Sequence, residues 1–204
     1  MSKNYFIVYY RFYIAVSFLF VFNIGCNNQP KSDQIAEKVK QVQVESLNQH
    51  IGERFDISMF TDTSGKAVEI DFGVSDITII DFWINECPPC NKELSQFKKL
   101  IEGKESEITI ISISVSSYDF WKSLFTEKSE RYSFLTTEVA NWKHLNLKSR
   151  ENINLKNPIS TDRLDEITNK LSVSFFPSYF VIDKNGKIIA RPISAVEYIQ
   201  KLKI

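Results

Sequence analysis

The sequence predicts an α/β domain, a central mixed sheet flanked by helices and entered through an N-terminal hairpin, on three observations. Ile77-Thr78-Ile79-Ile80-Asp81-Phe82-Trp83 is β-branched and almost continuously apolar, as a strand buried on both faces should be. Leu94, Phe97, Leu100 and Ile101 recur on one helical face up to a stop at Gly103, and Ile111, Ile113 and Val115 then alternate with serines as a second strand. Strand, helix, strand at these lengths makes a βαβ unit with parallel strands. Near the C-terminus, Tyr179-Phe180-Val181-Ile182 and Lys187-Ile188-Ile189-Ala190 flank Asp183-Lys184-Asn185-Gly186 as an antiparallel hairpin, which makes the sheet mixed.

The remaining elements follow in order. Phe55 to Ile70 carries a turn signal, Asp62-Thr63-Ser64-Gly65-Lys66, between short apolar stretches and reads as the entry hairpin. Pro88 and Pro89 suit the first turn of the helix, where a missing N–H costs nothing. A second helix is expected from Tyr118 to about Ser129 through Phe120, Trp121, Leu124 and Phe125. Arg131 to Pro158 has no legible period. Leu164, Ile167 and Leu171 mark a helix over Thr161 to Leu171, capped by Ser160 or Thr161, and a short helix from Ala195 to Leu202 closes the domain.

Composition bounds the function. A chain of 204 residues, 43% of them apolar, can bury one sizeable core but is short for two. Basic and acidic residues balance at 25 each, so no field draws the chain to nucleic acid.

The N-terminus stands apart from the fold. Residues Tyr5 to Ile24 are nearly all apolar or aromatic, broken by Arg11, Ser17 and Asn23, and read as an export signal. A retained signal anchor is the competing reading, since counting from Tyr5 the run approaches the roughly 20 residues a span needs. Ile24-Gly25-Cys26 followed by a polar stretch resembles a bacterial lipoprotein cleavage site, in which the cysteine becomes acylated and anchors the protein. The expected organisation is thus a signal at 1–25, a polar tether at 26–49 and a domain at 50–204. The implied location is the cell envelope, lipid-anchored and facing the periplasm or exterior.

With Cys26 consumed by lipid, Cys87 and Cys90 are the remaining thiols, too few for a disulfide framework and suited to an active site. Cys87-Pro88-Pro89-Cys90 places two thiols one turn apart at a helix start, close enough to pair. Unpaired N–H groups and the helix dipole favour a thiolate there, and the thiolate is the attacking species. Cys87 is therefore the expected nucleophile and Cys90, deeper in the helix, the resolving thiol. Half of a four-cysteine zinc site has the same spacing, but the other half is absent. His50 and His144 do not stand at ligand spacing, so neither metal nor cofactor is expected.

The segment from Asp81 to Cys90 resembles the thioredoxin active-site segment, an apolar strand running through Phe-Trp into Cys-x-x-Cys. Phe176-Pro177-Ser178, leading into Tyr179 to Lys187, resembles that family's second landmark. The Cys-Pro-Pro-Cys pair, the export signal and the hairpin entry together resemble the TlpA/ResA branch of membrane-tethered thiol–disulfide oxidoreductases. The resemblance implies a thioredoxin-like fold over roughly His50 to Ile204. It implies a cis Phe176–Pro177 peptide facing the cysteines, with Phe176 and Pro177 binding substrate, and Trp83 close to the disulfide and touching substrate. It also implies reduction of exported proteins with cysteine pairs, with electrons from a membrane dithiol donor.

Asp81 matches the carboxylate that thioredoxin buries beneath its second cysteine. A charge inside an apolar strand costs several kcal/mol unless neutralised or paired, so a raised pKa and an acid/base role toward Cys90 are expected. Pairing with a lysine at the sheet edge is the alternative. Glu86, just before Cys87, either opposes thiolate formation or is a solvated loop charge. Two other functions share the fold: a peroxidase, whose Pro-x-x-x-Thr/Ser-x-x-Cys site is missing, and a metal-delivery protein, which needs wider cysteine spacing and a partnering His.

Overall fold

The computed structural model describes residues 47–126, 130–148 and 161–202. The expected signal 1–25, Cys26 and nearly all of the tether 26–49 lie outside the described residues. Strands β1 (Phe60–Thr61), β2 (Ile77–Trp83), β3 (Ile108–Ser114), β4 (Trp142–Leu147), β5 (Ser178–Asp183) and β6 (Ile188–Ala190) form one sheet in the order β1-β4-β3-β2-β5-β6. The helices among the described residues are α1 (Pro88–Ile101), α2 (Tyr118–Ser123), α3 (Thr161–Leu171) and α4 (Ala195–Leu202), with 3-10 turns at Ile57–Met59, Phe72–Val74 and Glu130–Thr136.

α1 connects β2 to a parallel β3, with Ile77 opposite Ile108 and Trp83 opposite Ser114. β5 returns antiparallel on the other side of β2, so the sheet is mixed. Central position explains the unbroken apolar runs of β2 and β3, because both of their faces are covered. On one face Ile79, Trp83, Ile110, Trp142 and Val181 pack under Leu94, Phe97 and Ile101 of α1 and Ala195, Val196 and Ile199 of α4. On the other, Ile80, Phe82, Ile113, Leu145 and Phe180 meet Ile167 and Leu171 of α3. Phe55, Phe60, Phe82 and Phe180 interlock there with ring centroids 5.7–6.4 Å apart. Each such buried ring contributes roughly 1.5–3 kcal/mol by leaving water.

The entry hairpin is present as a tight turn: Asp62 Oδ1 accepts the Ser64 and Lys66 N–H groups, and Thr61 bridges Ala67. The arm that enters the turn, however, finds its main partner in β4, with Phe60 opposite Leu147. α2 stops at Ser123, short of the expected Ser129. Ser123 Oγ donates to Phe120 O and Thr126 Oγ1 to Ser123 O, so side chains take carbonyls that continued helix would need. Within the segment that carried no period, β4 was hidden by its polar residues Lys143, His144 and Asn146. Asn146 is fully buried because its Nδ2 donates to Ser114 O and Ser116 O at 2.9 Å each.

Candidate active site

Cys87 is the N-cap of α1, with extended backbone, and its Sγ accepts the Cys90 N–H at 3.2 Å. Pro88 and Pro89 fill the next two positions, and the first helical bond runs from Asn91 N–H to Cys87 O. Cys87 and Cys90 form a disulfide with Cα atoms 5.3 Å apart. Cys87 keeps 7% of its surface accessible and Cys90 none. The difference follows from position, since the cap faces outward while Cys90 begins the buried stripe that continues through Leu94, Phe97 and Ile101.

The loop from Trp83 to Cys87 is held from two sides. Asn85 N–H donates to Ser116 Oγ at 3.0 Å. Tyr132 Oη donates to Asn85 Oδ1 at 2.5 Å and lies 3.4 Å from the Glu86 N–H that it accepts. Glu86 takes a left-handed conformation, φ 58°, and its side chain is exposed, as a solvated loop charge is.

Alternation along β2 puts Asp81 on the face of Ile79 and Trp83, beneath α1. Asp81 is 1% exposed, and neither carboxylate oxygen has a hydrogen-bond partner. Burial pushes its pKa up to about 8; Ser112, opposite on β3, partly offsets this by favouring the charged form, and the nearby Glu93 carboxylate adds to it. No lysine pairs with it among the described ion pairs, which favours the neutral carboxyl over the salt-bridge reading. The strand registers extend Asp81 into a row across the sheet, Tyr179, Asp81, Ser112 and His144. Ser112 Oγ accepts the Trp142 Nε1–H at 2.9 Å. Burial lowers the His144 pKa to about 4, and its ring packs among Phe125, Phe134 and Trp142. No cluster of three His, Cys, Asp or Glu residues fit to hold a metal occurs among the described residues.

The Phe176–Pro177 peptide is cis and immediately precedes β5. Ser178 stands opposite Phe82, which brings this peptide to the end of the sheet where β2 leads into Cys87. Phe176 packs, half-buried, against the cluster that contains both cysteines. Trp83 was expected to touch substrate but has no accessible surface: it packs against Phe134 and Tyr132 at centroid distances of 5.8 and 6.5 Å. Its bulk shapes the wall beside the cysteines instead.

One residue, Glu93, and one contact, that of Tyr132 with the active-site loop, carried no clear sequence signal. Glu93 Oε1 accepts the Ser194 hydroxyl at 2.5 Å and Oε2 the Val196 N–H at 3.1 Å, which ties α1 to the start of α4. Its spacing of three from Cys90 put it on the cysteine's helical face and was the available signal. Tyr132 is buried like a core aromatic, but its hydroxyl bonds to a loop 46 positions away, which no local pattern announced. Together these elements present one accessible sulfur at a helix start and an enclosed partner sulfur, the pair that thiol–disulfide exchange requires, with a carboxyl kept neutral by burial on the same face of the sheet.

A family model described as Redoxin matches residues 52–197. The thiol-disulfide oxidoreductase ResA of Bacillus thuringiensis subsp. konkukian is 26% identical over 140 residues, 68% of this chain and 67% of that protein. Among solved structures, a thiol:disulfide interchange protein from a Bacteroides species superposes with a TM-score of 0.54 at 20% identity, covering 78% of this chain and 90% of the other. A thioredoxin-like protein from Bacteroides caccae gives 0.51 at 12% identity, over 87% and 57%. These likenesses carry the thioredoxin-like fold.

Proposed function

Because the chain belongs to the Redoxin family and is a thiol–disulfide oxidoreductase of the TlpA/ResA type, we propose that it is a lipid-anchored envelope reductase acting on exported proteins with cysteine pairs. The observation that carries the chemistry is the Cys90 N–H directed at the sulfur of Cys87, the cysteine with accessible surface. In the reduced protein the same N–H and the helix dipole favour a thiolate at Cys87.

The Cys87 thiolate attacks a client disulfide: a bond forms from Cys87 Sγ to one client sulfur, and the other leaves as a thiolate that takes up a proton. Cys90 then gives its proton to Asp81 in its ionised form, whose fraction grows as pH rises toward about 8, and attacks Cys87 Sγ, which releases the second client sulfur as a thiolate. The client gains two electrons and the Cys87–Cys90 pair loses them. A membrane dithiol donor restores the reduced pair, and Asp81 returns its proton. Half-buried Phe176 and Pro177, at the cysteine end of the sheet, form the surface against which the client segment rests.

Membrane attachment rests on Gly25-Cys26 at the end of the apolar N-terminal run, with residues 26–49 as tether to a domain at 50–204. The reduction potential of the purified domain tests the direction. A value nearer the thioredoxin end, about −270 mV, supports a reductase; one near −120 mV makes the protein an oxidant.

A further inference from the structure

We propose that Tyr132 is a positioning residue for Cys87: its hydroxyl fixes the Asn85-Glu86 turn so that the Glu86 carboxylate is held out in solvent, away from the sulfur. This rests on Cys87 being the attacking thiol.

One hydroxyl serves two successive residues of the loop that delivers Cys87. The O–H donates to Asn85 Oδ1 at 2.5 Å, and the oxygen accepts the Glu86 N–H at 3.4 Å. Ser116 holds the other side of Asn85 by accepting its N–H at 3.0 Å. Asn85 itself is 7% exposed, so its amide cannot turn to water for replacement bonds. The hydroxyl is in turn fixed by its ring. Tyr132 is buried between Trp83 and Phe134, centroids 6.5 and 6.2 Å away, in the cluster that also encloses Cys87 and Cys90. The Arg131 guanidinium lies 5.4 Å from the ring centroid on its outer side.

The held turn has an unusual shape. Glu86 adopts φ 58°, the left-handed region that a residue with a β-carbon avoids. A loop free to relax leaves that conformation, and every alternative re-aims a carboxylate bonded into the chain next to Cys87. A carboxylate brought toward the sulfur opposes ionisation, and the attacking species is the thiolate. The clamp thus lets an acidic residue precede the nucleophile without suppressing it. Its contribution comes from outside the βαβ unit, from a 3-10 turn far along the chain.

The test is the rate at which Cys87 of the reduced protein is alkylated by iodoacetamide from pH 4 to 10, with the labelled cysteine identified by mass spectrometry. Tyr132→Phe keeps the ring and removes the hydroxyl, and should slow alkylation of Cys87 at pH 6 about five-fold while leaving the plateau at high pH unchanged, as a raised pKa requires. Adding Glu86→Gln should restore the rate to within two-fold of wild type, whereas Glu86→Gln alone changes it by less than two-fold. Asn85→Ala removes the same hydrogen bond from the other side and should copy Tyr132→Phe, including the rescue, should Tyr132→Phe fail to fold. No slowing, or slowing that Glu86→Gln does not relieve, overturns the clamp. Labelling of Cys90 in preference to Cys87 in the wild type overturns the assignment of the nucleophile, a separate failure.

Discussion

Asp81 stands directly across from Tyr179 in the β2–β5 ladder, and both side chains end in polar atoms buried away from water. Burial raises the pKa of each, and each carboxyl nearby raises the tyrosine's further. A core that tolerates two such groups side by side keeps them neutral. The cost of keeping Asp81 there grows as the solution becomes more alkaline.

Asp81→Asn separates that cost from catalysis. The unfolded chain loses the Asp81 proton near pH 4, while the folded protein holds it to about pH 8. Between those values the native state binds the extra proton, so this group's contribution to stability falls as pH rises, by at most roughly 1.4 kcal/mol per unit. Urea unfolding should therefore show Asp81→Asn gaining on wild type from pH 4 to 8 and holding its gain above. Resolution of the mixed disulfide should behave oppositely. Wild type should accelerate toward pH 8 as Asp81 becomes able to accept the Cys90 proton, whereas the variant lacks that rise. The gap should shrink again at higher pH, where hydroxide serves. Equal rates throughout exclude a catalytic role for Asp81.

The segment without a legible period contributes to stability through Asn141, whose Nδ2 donates to Ile101 O at 2.9 Å and Ile108 O at 2.8 Å. One amide thus closes the turn between α1 and β3. Asn141→Ala leaves two buried carbonyls short of a donor and should cost about 2–3 kcal/mol in denaturant unfolding. Iodoacetamide labelling of the reduced cysteines should be unchanged, since Asn141 sits at the far end of α1 from Cys87.

What the sequence disclosed and what it withheld divide along physical lines. The β2 run Ile77–Trp83, the α1 stripe through Leu94, Phe97 and Ile101, and the Asp183-to-Gly186 turn were readable because burial and turn chemistry act over a few neighbouring residues. Asp81 was readable as a lone charge in an apolar strand. β4 was not, because Asn146 is buried by virtue of carbonyls on another strand, and hydrophobic period does not register such a residue. Glu93 looked like an ordinary polar position on a helix until its bonds to Ser194 and Val196 placed it. Trp83 was assigned to substrate by the family resemblance, yet aromatic partners from distant sequence enclose it.

Lipid attachment is tested in cells. Metabolic labelling with a fatty acid should mark the wild-type protein and spare Cys26→Ala. A mature protein whose N-terminus begins upstream of Cys26 contradicts the anchor and favours a retained signal segment.

The central claim is the division of labour between an accessible Cys87 and an enclosed Cys90. Its most direct measurement is mass spectrometry of reduced single-cysteine variants mixed with a disulfide-containing peptide. Cys90→Ala should accumulate a mixed disulfide at Cys87, and Cys87→Ala should react at least about ten-fold more slowly, since its remaining thiol is buried and lies beyond the helix cap. Equal trapping by the two variants, or faster trapping by Cys87→Ala, contradicts the account.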